Sequence, residues 1–411
     1  VIAFVTDELP RPGAAGHLAL NHAIIDWLQQ EGFAVTILLT GSRLAWPVEL
    51  YTEARVTGPH VTQFGSYLGA ISPPTMLGIG LRALLRRLPP ALAARLRRAR
   101  HNADAVLGSF PSPSDLRWCA RAIDRLQPQA VLIDTVFRAP LLAEPELAGL
   151  NSIVITHDVF HRRAQALSAA GYHVLPENFS RIREASLLGR ARSIAAIQPD
   201  EAELLRAMCP ARNIFTAPMP ALPCPPPPET QRIPGRLIFV GSDSLPNLDG
   251  LRWFFAEIWP QLHPHGLTLD LVGDCGRALP RLPQGVKAWG RVASLAPLLH
   301  RASLAISPLR TGSGLKIKLL DYARHGLCTI ATPPSLQGFY LDADSPFIMA
   351  GSANIFAEAV LRRVATPPPP NAALAYVTLH YGVAASFAGL RSALTPGVAA
   401  ATQSDLRSLK L

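Results

Sequence analysis

Short, almost wholly apolar runs recur along this chain, separated by stretches in which apolar residues return every three or four positions. Residues 1–5 (VIAFV), 34–39, 130–134, 152–156 and 193–197 are runs of the first kind. They leave no polar face for water, so they predict strands covered on both sides. Residues 17–30 are of the second kind and predict a helix. The alternation restarts at residue 236. Strand signals cover 236–242, 269–274, 285–292, 304–309 and 327–332, with helical patterns at 245–255, 295–302 and 315–323. Strands alternating with helices predict an α/β protein, with one helix-covered parallel sheet in each half.

Two proline-rich runs punctuate this pattern, at 218–228 and 367–370. Proline fixes φ, so both predict stiff, extended connections. The expected division is a first domain over 1–217, a hinge linker over 218–235, a second domain over 236–366, and a final segment over 367–411. That last segment holds a helical pattern at 371–394 that the second sheet does not need.

The densest chemistry lies at 308–326 (PLRTGSGLKIKLLDYARHG). The chain has only four lysines among its 39 basic residues, and Lys316 and Lys318 both follow the Gly-Ser-Gly turn at 312–314. A strand signal precedes the turn. A helical one follows, with Leu315, Leu319, Leu320 and Ala323 on its apolar side and Gly326 at its end. A helix start offers unpaired N–H groups and a partial positive charge, which suits a phosphate. Gly314, Lys318 and Asp321 are spaced i, i+4, i+7 and share a face, whereas Lys316 lies about 200° from Lys318 around a helix. Lys318 is thus the expected cation for a diphosphate, with Asp321 beside it for a ribose diol. Alone, the same residues also suit a solvated helix start with two surface lysines.

In order, the segments from 236 to 338 resemble the nucleotide-binding half of the family 4 (group 1) glycosyltransferases of GT-B fold, the bacterial polysaccharide and glycolipid type. The resemblance implies two Rossmann-like, doubly wound parallel-sheet domains facing a central cleft, with the last helix crossing back to the first domain. It implies transfer of a sugar from a nucleotide-diphosphate donor to a glycan or lipid-linked acceptor in cell-surface polysaccharide or glycolipid synthesis. Retention of configuration, no metal and no cofactor are expected. The donor-binding positions it implies are Gly241, Ser242, Arg291, Val292, Gly312, Ser313, Gly314, Leu315, Lys318 and Asp321. Lys318 and Arg310 would stabilise the leaving diphosphate. Many family members carry two glutamates eight residues apart here, where this chain has Ser313 and Asp321. Asp321 keeps a ribose ligand with a shorter reach, while Ser313 offers the donor sugar a weaker one. A GT-B nucleotide-sugar epimerase and a non-catalytic nucleotide-sugar-binding protein are the rival readings.

In the first half, the run 153–158 (IVITHD) is a strand signal ending in His157 and Asp158. Polar residues at the carboxyl end of a parallel strand point into the ligand crevice. The resemblance gives His157 a catalytic role beside the donor. Asp158 would orient that imidazole or cap the next helix. His157 and His161 have metal-ligand spacing, but no third ligand is evident and two arginines adjoin, so no metal is expected. The loop at 11–16 resembles the family's glycine-rich loop, placing Gly13, Gly16 and His17 on the acceptor side.

Charge adds a partner class. Thirty-nine basic against 29 acidic residues give a net charge of +10, which favours an anionic surface. Residues 81–100 hold seven arginines and no acid, with leucines at helical spacing around Pro89 and Pro90. This pattern suits an anionic membrane surface. No zinc-finger or RNA-binding signature accompanies the charge, so nucleic acid is not an expected partner. Five scattered cysteines without a Cys-x-x-Cys fit free thiols in a cytoplasmic protein, peripheral on the inner face of the plasma membrane. The chain opens on a strand pattern rather than a secretory signal, and no transmembrane helix is expected.

Overall fold

The computed structural model describes residues 1–11, 16–41, 44–71, 73–86, 105–169, 171–279, 281–311 and 315–395. These form two compact units. One comprises the described residues within Val1–Ile197, Glu201–Pro218 and Phe387–Leu411, and the other those within Gln198–Asp200 and Met219–Ser386.

Strands of the first unit, in chain order, are β1 (Ile2–Thr6), β2 (Val35–Leu39), β3 (Val48–Leu50), β4 (Arg55–Thr57), β5 (Val61–Phe64), β6 (Tyr67–Ala70), β7 (Ala105–Val106), β8 (Ala130–Asp134), β9 (Ser152–Thr156), β10 (Val174–Leu175), β11 (Ser193–Ala196) and β12 (Asn213–Thr216). Seven of them form one parallel sheet in the order β12-β11-β9-β8-β1-β2-β4. Every residue of β1, β2, β8, β9 and β11 is buried, as a sheet covered on both faces requires. From β1 the order runs to β2 on one side and to β8 on the other. The carboxyl ends of β1 and β8 therefore flank a topological switch point, where open α/β sheets bind ligands.

A separate antiparallel sheet, β3-β6-β5, interrupts this scheme. Leu50 pairs with Tyr67 and Phe64 with Tyr67, so the three side chains form a row across one face. All three are exposed.

The second unit contains β13 (Arg236–Val240), β14 (Thr268–Val272), β15 (Val286–Gly290), β16 (Leu304–Ser307), β17 (Thr329–Ala331) and β18 (Phe347–Met349). They form a parallel sheet in the order β15-β14-β13-β16-β17-β18, with its switch point between β13 and β16. Leu237, Phe239, Leu269, Leu271, Leu304 and Ile306 lie in one apolar core with Phe254 and Phe356. The helix Ile317–Arg324 buries Leu319, Leu320, Tyr322 and Ala323, in keeping with its apolar periodicity. Gly326, at φ +73°, follows the end of this helix.

The expected linker, from residue 219 on, is fastened within the second unit. Ala221 N–H donates to Tyr381 O at 2.7 Å, Cys224 N–H to Arg324 O at 2.7 Å, and Ile233 N–H to Arg301 O at 2.9 Å. Proline 367 to proline 370 also lie within this unit. The helical pattern at 371–394 is two helices, Pro370–Tyr381 and Val383–Leu394. The break falls at Gly382, where an added Cβ would lie 2.6 Å from Thr378 O. By length and composition this stretch is apolar enough to cross a membrane, contrary to the expectation of no such segment. Its residues Tyr376, Val377 and Tyr381 are nonetheless buried in the second unit. In the first unit, Phe387 packs on Trp27 with ring centroids 5.1 Å apart. Each of the two helices thus packs one face against a core.

Candidate functional site

In the second unit, the loops after β13 and β14 meet through two glycines. Gly273 has φ +96°, and a Cβ there would lie 2.3 Å from Gly241 O. A Cβ on Gly241 would lie 2.7 Å from the Phe239 ring and 3.0 Å from Asn247 Nδ2. Neither position accepts a larger residue without movement. The backbone so brought close sits at the carboxyl edge of the sheet, beside the switch point.

Lys318 reaches the same edge. Its Nζ donates to Asn247 Oδ1 at 2.7 Å and stands 4.2 Å from the centroid of the Phe239 ring. Asn247 in turn donates to Ser242 O at 3.1 Å, so Ser242, Asn247 and Lys318 form one chain of contacts. Burial pushes the Lys318 ammonium down to about 7; the nearby Cys275 opposes that shift and Lys316 adds to it. This group is poised between charged and neutral, and an approaching anion would favour its charged form.

The helix carrying it starts later than the sequence spacing predicts. It begins at Ile317, with Lys316 as N-cap, no side-chain cap and no acid in its first turn. Lys318 is therefore a first-turn residue, and the wheel angle between Lys316 and Lys318 does not apply because Lys316 lies outside the helix. The first turn still presents its amides and positive end without a competing carboxylate. Asp321 sits one turn on, its Oδ1 3.9 Å from Arg324. Burial raises its carboxyl above the usual range, and Arg324 partly offsets this.

Other expected donor residues scatter around this edge. Arg291 pairs with Asp274 at 2.6 Å and Arg310 with Asp249 at 3.7 Å. Val292 and Leu315 pack against separate apolar clusters beneath the helix. Gly312, Ser313 and Gly314 lie outside the described residues. A buried polar cluster holds the strand ends below: Ser335 Oγ donates to Ser307 O at 2.7 Å, and Thr332 Oγ1 donates to Leu309 O.

In the first unit, side chains gather at the ends of β1, β8 and β9. His157 Nε2 bonds Asp134 Oδ1 at 2.8 Å, and Thr6 Oγ1 donates to Asp134 Oδ2 at 2.7 Å. Asp134 is fully buried. Burial alone would raise its carboxyl, but the His157 and Thr6 hydrogen bonds and the nearby Arg138 hold it well below the usual carboxylate range. The ionised carboxylate favours the tautomer with the proton on Nε2, leaving Nδ1 as an acceptor. Arg138 also pairs with Asp7 at 2.5 Å. His17, at the start of the helix His17–Gln30, sets its ring 5.5 Å from that of His157. Burial lowers the His17 imidazole, although Asp134 opposes this. Gly16 precedes it at φ +63°; Gly13 lies outside the described residues.

Asp158 performs neither expected task. Asp134 holds the imidazole instead, and Asp158 pairs with Arg163 at 3.1 Å. The first amides of the helix Phe160–Ala169 go to Glu184, which accepts from Phe160 N and His161 N at 2.9 Å each. His161 Nδ1 also bonds Glu184 Oε2 at 2.7 Å. The two histidines thus serve separate carboxylates.

Asn247, Asp134 and Thr6 were not among the expected site residues. Asp134 had a local signal, an acid ending an otherwise apolar strand. Asn247 had a weaker one, the Pro-Asn pair opening a helix.

Residues 234–365 match the family model described as Glycosyl transferases group 1. No curated protein matches the chain significantly. Among solved structures, the chain is similar to the lipopolysaccharide outer core galactosyltransferase WaaB, at 13% identity and a TM-score of 0.56, covering 97% of this chain and 99% of that one. A glycosyltransferase from Rickettsia africae ESF-5 matches at 11% identity and a TM-score of 0.60, over 96% and 97%. The E. coli trehalose-6-phosphate protein bound with UDP-2-fluoro glucose matches at 12% identity and 0.54, over 96% and 98%. At such identities the likeness is one of fold. Residues 234–365 carry the group 1 glycosyltransferase pattern, within a chain of GT-B fold.

Proposed function

We propose that this protein is a glycosyltransferase that takes its sugar from a nucleotide-diphosphate donor. The observation that carries this reading is Lys318, held by Asn247 at the first turn of an uncapped helix beside the close-packed Gly241 and Gly273 loops. A half-buried cation, the amides of a helix start and close backbone approach together suit a diphosphate. The group 1 match over the same residues supports it, and UDP is the first nucleotide to test because one structural neighbour is bound to a UDP sugar.

In this reading Lys318, Arg310 and the helix amides stabilise the leaving diphosphate. Asp321 takes the ribose hydroxyls. His157, oriented by Asp134, contacts the donor through Nδ1. No side chain acts as nucleophile, the reaction retains configuration, and no metal ion assists the leaving group. The acceptor is a glycan or lipid-linked sugar of the cell surface.

The exposed row Leu50, Tyr67 and Phe64 supports contact with a membrane. Leu77 and Leu81, on the helix Pro73–Arg86, are also exposed. Fully burying such a side chain is worth about 1.5–3 kcal/mol, and each arginine near an anionic surface about 1 kcal/mol. The seven arginines of 81–100 follow this apolar region in sequence, although 87–100 lie outside the described residues.

The test is nucleoside-diphosphate release from UDP and GDP sugars, with and without lipid-linked glycan acceptors and without added divalent ions. Acceptor-dependent release is expected. A changed nucleotide sugar from donor alone would instead indicate an epimerase, and donor binding without turnover a binding protein.

A further inference from the structure

At the far end of the Lys318 helix, three side chains with metal-ligating atoms converge: Cys224, His300 and His325. Cys224 belongs to the proline run, His300 to the helix Ala296–Arg301, and His325 caps the helix Ile317–Arg324. Their ligand atoms all lie within 4.8 Å of one another. Both histidines are buried, with ring centroids 4.8 Å apart.

The hydrogen bonding there is incomplete in an informative way. His300 Nε2 lies 3.0 Å from Cys224 O and 2.8 Å from His325 Nδ1. One ring nitrogen holds either a proton or a lone pair. With a proton, it must split a single N–H between two acceptors. With a lone pair, it faces the lone pairs of a carbonyl at hydrogen-bond distance. A cation would give the two facing ring nitrogens and the thiol a common partner.

We propose that Cys224, His300 and His325 bind one Zn2+ ion. Ligand atoms on a tetrahedral zinc, with bonds of about 2.0–2.3 Å, lie about 3.3–3.7 Å apart. The observed cluster needs shifts of about an ångström to meet this. One thiolate and two imidazoles select zinc or a similarly thiophilic ion over Mg2+ or Ca2+. Binding releases the Cys224 thiol proton to solvent, and water completes the coordination, since Cys224 is only half-buried. The ion would staple the proline run to the helix that carries Lys318 and Asp321. Lys318 and His325 are seven residues apart, about 10 Å along a helix. This zinc would therefore stand apart from the leaving group, so the proposal holds independently of the transferase reading.

The experiment uses the full chain, stripped of metal with a chelator and titrated with Co2+. One equivalent should bind and produce a thiolate-to-cobalt charge-transfer band, which Zn2+ then bleaches. Zn2+ should raise the melting temperature of the stripped protein. Cys224→Ser should abolish the band, and His325→Gln should weaken Co2+ binding at least about a hundredfold. The stripped Cys224→Ser protein should melt with the stripped wild type, showing that it folds. The other four cysteines are buried. A wild type without a thiolate band, a band that survives Cys224→Ser, or a melting temperature insensitive to Zn2+ would overturn the proposal.

Discussion

Lys318→Met removes the cation assigned to the diphosphate while keeping an unbranched side chain against Phe239. In the wild type, burial holds this lysine down to about 7. A phosphate within about 4–6 Å should raise it again by about 1–3 units. Nucleotide binding should then draw a proton from solvent, about half a proton per site at pH 7. Affinity should fall as pH rises above 7, by at most about tenfold per unit, until the bound lysine itself titrates. The diphosphate's own last proton is lost near pH 6 and does not contribute above pH 7. Lys318→Met should lose about 1.5–3 kcal/mol of binding at pH 7, roughly ten- to a hundredfold, and should lose the pH slope as well. The free protein should change in the opposite sense. A lysine with a lowered folded-state pKa opposes folding below its unfolded value, and the penalty fades as pH rises from 7 towards 10.5. Its size is of order 4 kcal/mol at pH 7, so the variant should melt higher than the wild type when no nucleotide is present. Calorimetric titration of UDP and GDP in two buffers of different ionisation enthalpy reads the proton count directly. Equal proton uptake in wild type and variant, or an unchanged Kd, would refute the assignment.

The remaining predictions concern the other residues. Asp321→Asn should weaken UDP or GDP but not the 2′-deoxy form; equal losses for both would remove the ribose role. Asp134→Asn should lower turnover about 10- to 100-fold through a misplaced His157, with nucleotide affinity unchanged, as should His157→Ala; normal single-turnover transfer in either variant would refute the role. Asp134→Ala should cost about 2–5 kcal/mol of stability, because it leaves the His157 ring and the Thr6 hydroxyl without their buried acceptor; chemical denaturation checks this. The protein should co-sediment with anionic but not neutral vesicles, less so at high salt. Replacing Leu50, Phe64 and Tyr67 with serine, or Arg95, Arg97, Arg98 and Arg100 with glutamine, should release it, and no binding at low salt would favour a soluble acceptor.

The sheet strands were the most legible elements. Runs such as 130–134 and 152–156 are apolar throughout, and no element other than a doubly covered strand suits so short a run. The antiparallel β3-β6-β5 sheet was not visible. Its strands are three or four residues long, and its exposed Leu50, Phe64 and Tyr67 break the apolar-in, polar-out rule. Helix limits also depend on tertiary context. The start at Ile317 rather than Leu315 moved Lys316 off the helix, and Gly382 split one apolar periodicity into two helices with different neighbours.

The site was legible where function is local and obscure where it is distributed. Lys318 and Asp321 share one helix, so their i, i+3 spacing put them on one face in the sequence, although the wheel angle to Lys316 did not hold. The bond between Asp134 and His157 joins residues 23 apart on neighbouring strands, and strand order cannot be read from periodicity. The same holds for Asn247, which reaches Lys318 across 71 residues. Cys224, His300 and His325 are separated by 76 and 25 residues, so no motif marks them.

The central claim is that a nucleoside diphosphate binds at the Lys318 helix of the second unit. A thermal-shift screen of UDP, GDP, ADP and their sugars tests it most directly, run in parallel on wild type and Lys318→Met. At about 100 times its Kd, the cognate nucleotide should add about 2.7 kcal/mol of stability and raise the wild-type melting temperature by several degrees. At the same concentration it should shift Lys318→Met far less. No shift with any nucleoside diphosphate or nucleotide sugar, or the same shift in both proteins, would contradict the account.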